Sequence, residues 1–285
     1  MNIKKLLLRT FSGIIYCLII VGCIFLGKYG VLGLSIALSI GACIEFARIC
    51  HNFDERHFPT MILEIAGCVA LCFSVYVYPI FIWIAIMIMR SIEELYVNSE
   101  KPLLNLSHSF MSQIYIGLPM ALMTIIAYVI SPMILLAIFF LIWINDTGAF
   151  IVGCSIGRHK LFERISPKKT WEGFFGGLVC CIGASALFFY FGNDFFEMNK
   201  IFANLGIWLG FGATVAIFGT WGDLIESMIK RNLKIKDSGN IIPGHGGILD
   251  RIDSLLIVIP AIFIYLLITI ILRFEEIYSS VFNLF

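Results

Sequence analysis

Apolar residues in this chain gather into long runs separated by short polar breaks. They do not recur at the spacing of a helix that faces water on one side. Runs of about 20 residues match the hydrocarbon core of a bilayer, because a helix rises about 1.5 Å per residue. Reading one helix between each pair of breaks predicts nine spans, over 9–27, 31–50, 60–76, 78–93, 112–130, 133–153, 172–192, 204–229 and 252–272. The run over 60–89 is interrupted only by Tyr78-Pro79. A single helix of about 30 residues would overshoot the bilayer, so the pattern predicts a hairpin at that point. The fold class this implies is all-α, a polytopic transmembrane helical bundle.

The basic residues test that division. With nine spans and a cytoplasmic N-terminus, only Lys28, Lys200 and Arg273 of the 20 lysines and arginines fall outside. Merging spans three and four would put every later basic loop outside instead. The opening Met1-Asn2-Ile3-Lys4-Lys5 resembles a signal peptide. Its apolar stretch continues to about Leu26 without a small-residue cleavage site, which predicts a retained first span. With no organelle-type extension either, the expected location is a bacterial cytoplasmic membrane. Composition agrees: 60% of residues are hydrophobic and 14% charged, where a soluble domain carries roughly a quarter charged. Mean hydropathy is +0.95.

A net charge of +1 offers no field for nucleic acid or another bulk acidic partner. Most of the nine cysteines, including Cys17, Cys23, Cys43, Cys68, Cys72, Cys180 and Cys181, sit inside apolar runs. None forms a pair with histidine or a second pair nearby, so they read as small buried hydrophobes rather than zinc ligands. By texture the chain divides at about residue 130. Residues 1–130 are apolar helices with short loops, whereas 131–285 contain two polar cytoplasmic loops, 154–171 and 228–251, rich in Gly, Lys and Asp. Function is expected in the second part.

The first polar segment contains Asp146 inside an apolar helix, then Ser166-Pro-Lys168-Lys169-Thr170-Trp-Glu-Gly. An isolated carboxylate in a span should face a wet cavity or a cation, or else bond a neighbouring helix. The Ser-Pro-Lys-Lys-Thr run before a helix start has the make-up of an anion cradle, with two ammonium groups, two hydroxyls and helix N-terminal amides. Lys168 and Lys169 could equally be charges that set topology. In the second segment Asp223, Ser227 and Lys230 stand at i, i+4 and i+7 and share one helix face. Such a stripe could hold a metal and the phosphate bound to it. Glycines around His245 let backbone amides approach a ligand, or simply make a tight turn around a structural histidine. Asp250 and Asp253, at i and i+3, would be neighbours at the start of span nine and need a cation between them, either Arg251 or a divalent metal. Oxygen-only ligands indicate a hard cation such as Mg²⁺. Lysines, carboxylates and glycines on one membrane face suit a substrate with many phosphate oxygens. From the residues alone, a transporter of a phosphorylated solute stays open beside an enzyme.

Residues Ser227-Met-Ile-Lys230-Arg231, Lys236-Asp237 and Pro243-Gly-His245-Gly-Gly-Ile-Leu-Asp250-Arg251-Ile-Asp253 follow the signature of the phosphatidate cytidylyltransferase (CDP-diacylglycerol synthase) family. Ser166-Pro-Lys-Lys-Thr-Trp-Glu-Gly and the Asp146 helix also resemble it. The chain departs from the family's pattern at Phe150, where tyrosine is usual, and at Cys154, where a basic residue is usual. The resemblance implies transfer of CMP from CTP to phosphatidate, giving CDP-diacylglycerol and pyrophosphate, with Mg²⁺ and room for a second cation. It implies Asp223 and Asp250 as metal ligands, with Asp253 or Asp146 beside them. It implies Lys168, Lys169, Lys230, Arg231, Lys236 and Arg251 on phosphates, positioned by Ser166, Thr170, Ser227 and His245. The alternative acceptor chemistry is that of a CTP-dependent polyprenol or dolichol kinase. A homodimer is a further expectation.

Overall fold

The computed structural model describes residues 3–50, 58–97, 99–192, 194–196, 204–239 and 246–282, with side chains from residue 10 to 273. The helices in chain order are α1 (Ile3–Phe25), α2 (Gly27–Cys50), α3 (Phe58–Cys72), α4 (Tyr78–Tyr96), α5 (Pro102–Ser112), α6 (Leu118–Val129), α7 (Pro132–Ile156), α8 (Trp171–Gly192), α9 (Leu205–Asn232) and α10 (Leu249–Phe282). A π-helical turn, Gln113–Gly117, joins α5 to α6 into one continuous rod, Pro102–Val129. Among the described residues this makes nine separate helices, one at each place where the hydropathy pattern predicts a span. Six of them are long and apolar enough to cross a membrane: α2, the α5–α6 rod, α7, α8, α9 and α10. The apolar parts of α1 and α3, Thr10–Phe25 and Phe58–Cys72, are shorter. The last turns of α4 carry Arg90, Glu93 and Glu94.

Local chemistry explains the boundaries. Gly27 has φ +74°, a left-handed conformation that turns the chain sharply from α1 into α2. The run over 60–89 does break: α3 stops at Cys72, and Pro79 sits in the first turn of α4, where its missing N–H is not needed. Ser131 caps α7 by accepting from Met133 N at 3.0 Å, with Pro132 next to it. Asn204 caps α9 the same way, accepting from Gly206 N at 2.7 Å.

The structure departs from an all-helical reading at 160–170. Lys160–Phe162 (β1) and Ser166–Thr170 (β2) form a two-stranded antiparallel hairpin between α7 and α8. Helix α9 also continues to Asn232, so the second polar connection begins later than the loop expected from 228.

Helices α7, α8, α9 and α10 pack in succession; α10 returns against α2 and α6, and α1 leans on α2 and α7. One apolar core runs through both halves of the chain, from Ile20 and Phe46 through Met120 and Leu136 to Trp208 and Ile259. The outer faces remain apolar, with Phe11 and Leu18 on α1 and Val179, Leu187 and Phe191 on α8 all exposed. Water would not tolerate so large an apolar exterior, and hydrocarbon does. Only 17% of the apolar window of α8 lies inside the protein. That corrects one cysteine: all nine are free, and Cys43, Cys68, Cys72 and Cys181 are buried, but Cys180 is exposed because it lies on this outward-facing helix.

The N-terminal half holds a buried ionic cluster. Arg90 donates from Nη2 to Glu94 Oε2 at 2.7 Å and from Nε to Ser109 Oγ at 2.9 Å. Ser109 Oγ in turn donates to Glu64 Oε1 at 2.5 Å, and Gln113 Nε2 to the Glu64 carbonyl at 3.0 Å. These bonds tie α3, α4 and the π-helical turn together, so the irregular turn has its amide partners inside the protein.

Two substitutions test this packing. Arg90→Ala strands the buried Glu94 carboxylate and should cost about 3–5 kcal/mol, seen as a large drop in thermal midpoint in detergent. At Gly222 a methyl group would lie 2.8 Å from the Asp253 carbonyl oxygen and 2.9 Å from Ser254 Cα. Gly222→Ala should therefore push α9 from α10 at a cost of about 1–3 kcal/mol, checked by the same thermal measurement.

Candidate active site

The polar residues of the second half converge where α7, the β-hairpin, α9 and the first turn of α10 meet. The sequence arranges this meeting through close helix contact and one cap. Gly222 brings α9 against the α10 backbone at Asp253 and Ser254. Thr170 caps α8, its Oγ1 accepting from Gly173 N at 3.2 Å. Glu172 holds the chain entering the hairpin, accepting from Arg158 N at 3.1 Å and pairing with His159 Nδ1 at 2.6 Å. The hairpin then lies over α9, with the rings of Phe162 and Trp221 edge to face at 5.6 Å.

Among the described residues, three acidic side chains bring ligand atoms within 4.8 Å of one another: Asp223, Glu226 and Asp253. Glu226 is the buried member, 1% exposed, and its Oε1 has no hydrogen-bond partner among the described residues. Its Oε2 pairs with Lys230, one turn along α9. Asp223 Oδ2 is 2.6 Å from Lys169 Nζ, and its Oδ1 accepts from Ser227 Oγ at 3.2 Å. Asp253 Oδ1 accepts from Ser254 N at 2.6 Å.

Asp250, expected as a metal ligand, lies beside the triad rather than in it, and both its oxygens have partners. Oδ1 faces Lys230 Nζ at 2.7 Å, and Oδ2 accepts from Gly247 N at 2.8 Å and Ser238 N at 3.0 Å. Two amides of the connection before α10 and one lysine thus hold it. Asp146 is also outside the triad, though it lines the space beside it. Glu226, by contrast, was not expected. It lies within the signature helix, but at i+3 from Asp223 it is read off the Asp223–Ser227–Lys230 stripe, and a carboxylate beside Lys230 looks like an ordinary i,i+4 pair.

Two cavities adjoin the triad and share Asp146 and Asp223 as walls. One, of about 540 Å³, lies beneath the hairpin and is lined by Lys160, Lys168 and Lys169 together with Asn145, Thr220 and Phe174. The other, of about 460 Å³, lies between α1, α7 and α10; Asp250, Arg251 and Asp253 line it on one side, and Tyr16, Phe139, Ile142 and Trp143 on the other. The two thus differ in kind. The first sets three ammonium groups against the two shared carboxylates, the second four carboxylates and one guanidinium against an aromatic wall.

The remaining expected residues divide between the site and elsewhere. Lys169 is at its centre, Lys168 and Arg251 line the cavities, and Ser227 orients Asp223. Thr170 is buried and acts through its cap. Ser166 pairs with Phe162 at the hairpin turn, outside either cavity lining. Arg231 is exposed, bonds the Ile235 carbonyl at 3.2 Å and lines a separate cavity with Arg164 and Phe46. Lys236 is exposed on the connection after α9. His245 lies outside the described residues.

Charge decides what the site can hold. Among the described residues Asp146, Asp223, Glu226, Asp250 and Asp253 bring five carboxylates to the meeting point, and Lys160, Lys168, Lys169, Lys230 and Arg251 stand around them. Removing ions from water costs several kcal/mol each unless they are compensated. Three carboxylates close together, one with an acceptor oxygen that has no donor among the described residues, fit a divalent, oxygen-seeking cation.

The sequence profile of the cytidylyltransferase family matches residues 7–269. Over 131 residues the chain is 48% identical to a protein of Staphylococcus haemolyticus named phosphatidate cytidylyltransferase. It is 46% identical over the same length to proteins of that name from Staphylococcus aureus and Staphylococcus saprophyticus. Each alignment covers 45% of this chain and 47% of the relative, so the chain spans about half the length of the curated relatives it matches. With the family profile covering nearly all of its helices, the chain belongs to the cytidylyltransferase family.

Proposed function

We propose that this protein transfers CMP from CTP to phosphatidate, forming CDP-diacylglycerol and pyrophosphate at the cytoplasmic face of a bacterial membrane. The observation that carries the reading is the acidic triad flanked by lysines, set between a lysine-bearing cavity and one with an aromatic wall. Family membership and the relatives' names support the same reaction.

Each cavity suits one substrate. The lysine-lined space beneath the hairpin complements the phosphates of CTP. The space walled by α1 and α7 suits a lipid phosphate, with Phe139, Ile142 and Trp143 offering contact to acyl chains. The shared wall at Asp146 and Asp223 is where the two phosphates would meet. A phosphate oxygen of phosphatidate forms a bond to the α-phosphorus of CTP, and the bond from that phosphorus to the α–β bridging oxygen breaks. Pyrophosphate leaves with the electron pair. The nucleophile is already an anion, so no general base is required, and the demand is to offset repulsion between two anions. Lys169 stands at that point, and Lys230 holds Glu226 and Asp250 in place.

Asp223, Glu226 and Asp253 would hold the divalent cation, Mg²⁺ being the usual one beside phosphates. Bound there, it neutralises charge on the reacting phosphates.

The deciding experiment is pyrophosphate release by the detergent-purified protein given CTP, phosphatidate and Mg²⁺. Release should require all three, and ATP should not replace CTP. Release of CDP instead would shift the reading to a CTP-dependent lipid kinase. Asp223→Asn and Glu226→Gln should each lower turnover by about 100-fold or more, as losing a charged group at a metal-assisted site does, while the protein stays folded by size-exclusion profile. Near-wild-type rates in either would sink the triad assignment. Lys168→Ala should raise the KM for CTP and leave that for phosphatidate unchanged in a two-substrate kinetic series. Cys180→Ala should alter neither rate nor KM, since the residue is exposed on α8 and lines neither cavity.

A further inference from the structure

The acidic triad draws only on the second half of the chain, yet the helix that carries Asp253 is held by a residue from the first. Glu45, near the C-terminal end of α2, is 1% exposed. Its Oε1 accepts from Ile248 N at 2.9 Å, and its Oε2 accepts from Leu249 N at 2.9 Å and Ser238 Oγ at 3.0 Å. Leu249 is the first residue of α10, so Glu45 satisfies the unpaired amides of that helix from 204 residues away in sequence. A carboxylate there also complements the helix dipole. The surrounding chain leaves room for this one side chain. A methyl at Gly239 would come 2.5 Å from Glu45 Oε1, and one at Gly247 would come 2.3 Å from Oε2.

The first two turns of α10 carry both acidic residues of this helix that matter to the site. Asp250 anchors Lys230 and accepts from Ser238 N and Gly247 N, so Ser238 is bonded to Glu45 through its hydroxyl and to Asp250 through its amide. Asp253, one turn further, completes the triad with Asp223 and Glu226. The angle and depth at which α10 starts therefore set the distance from Asp253 to the α9 carboxylates.

We infer that Glu45 is a positioning residue for the metal site, acting through the N-terminus of α10 to place Asp253. This rests on the cytidylyltransferase reading for its catalytic consequence, but not for its effect on metal binding. A structural cap alone would stabilise the fold without tuning the triad. A positioning residue must alter cation affinity, as the partners that orient metal ligands do.

Mn²⁺ binding to the full-length, detergent-purified protein, followed by electron paramagnetic resonance, reads that affinity without turnover. Glu45→Gln keeps the shape but sets an amide nitrogen against one of the two backbone donors. It should weaken Mn²⁺ binding about tenfold, and raise the Mg²⁺ concentration for half-maximal pyrophosphate release by a similar factor. Should Glu45→Gln fail to fold, Glu45→Asp decides the same question, because it keeps the charge but is one methylene too short to reach both amides. Wild-type Mn²⁺ affinity in either folded variant overturns the inference, even if the thermal midpoint falls. Weakened Mn²⁺ binding with no pyrophosphate release from the wild-type protein would uphold Glu45 and overturn the proposed reaction instead.

Discussion

Lys230 reaches Glu226 one turn back on its own helix and Asp250 on the next, so one ammonium group joins α9 to α10 inside a membrane protein. Such a bond is forced by the solvent. A carboxylate within apolar helices has no water to stabilise it, and an unpaired one would cost several kcal/mol. Lys230 bridges two of the five carboxylates at the meeting point, and Lys169 pairs with a third. What stands out among the described residues is the cluster of Asp223, Glu226 and Asp253, whose ligand atoms lie within 4.8 Å of one another, close enough to share one cation.

The close approach of α9 and α10 has a steric condition as well as an electrostatic one. Gly222 lies against the Asp253 backbone, so the two helices touch without a side chain between them. In a bilayer, where lipid tails are as apolar as leucine, small residues at a helix interface gain dispersion contact and admit interhelical hydrogen bonds. Here the small residue sits next to the functional one. Asp223 can approach Asp253 only because residue 222 has no Cβ.

The N-terminal half supplies frame rather than chemistry. Its ionic cluster around Arg90 locks α3, α4 and the α5–α6 rod, and α2 carries Glu45 to the start of α10. The β-hairpin is the corresponding device on the cytoplasmic side in the proposed topology. It spans too few residues to be stable alone, and is held by Glu172 at its base and by Trp221 and Asp223 on α9. It brings Lys169 to Asp223 across 54 residues of chain. A flexible loop with the same residues would lose that position.

The helices, their number among the described residues and the hairpin break at Tyr78-Pro79 were legible in the sequence, because bilayer thickness and the missing N–H of proline act locally. Asp223, Asp253, Lys169 and Lys230 stood out in the sequence because their spacing repeats a signature, and the structure brings them to one place. The partners were not legible in the sequence. That Asp250 meets Lys230 and the amides of Ser238 and Gly247, that Glu226 lies beside Asp223 and Asp253, and that Arg231 turns to another cavity all follow from where α9 lies against α10. Glu45 gave no local sign at all, being one acid at the end of an apolar helix. Hydropathy and motif spacing are properties of neighbours along the chain. Which carboxylate meets a lysine, an amide or a cation depends on groups separated by up to 204 residues, and only the tertiary structure brings those together.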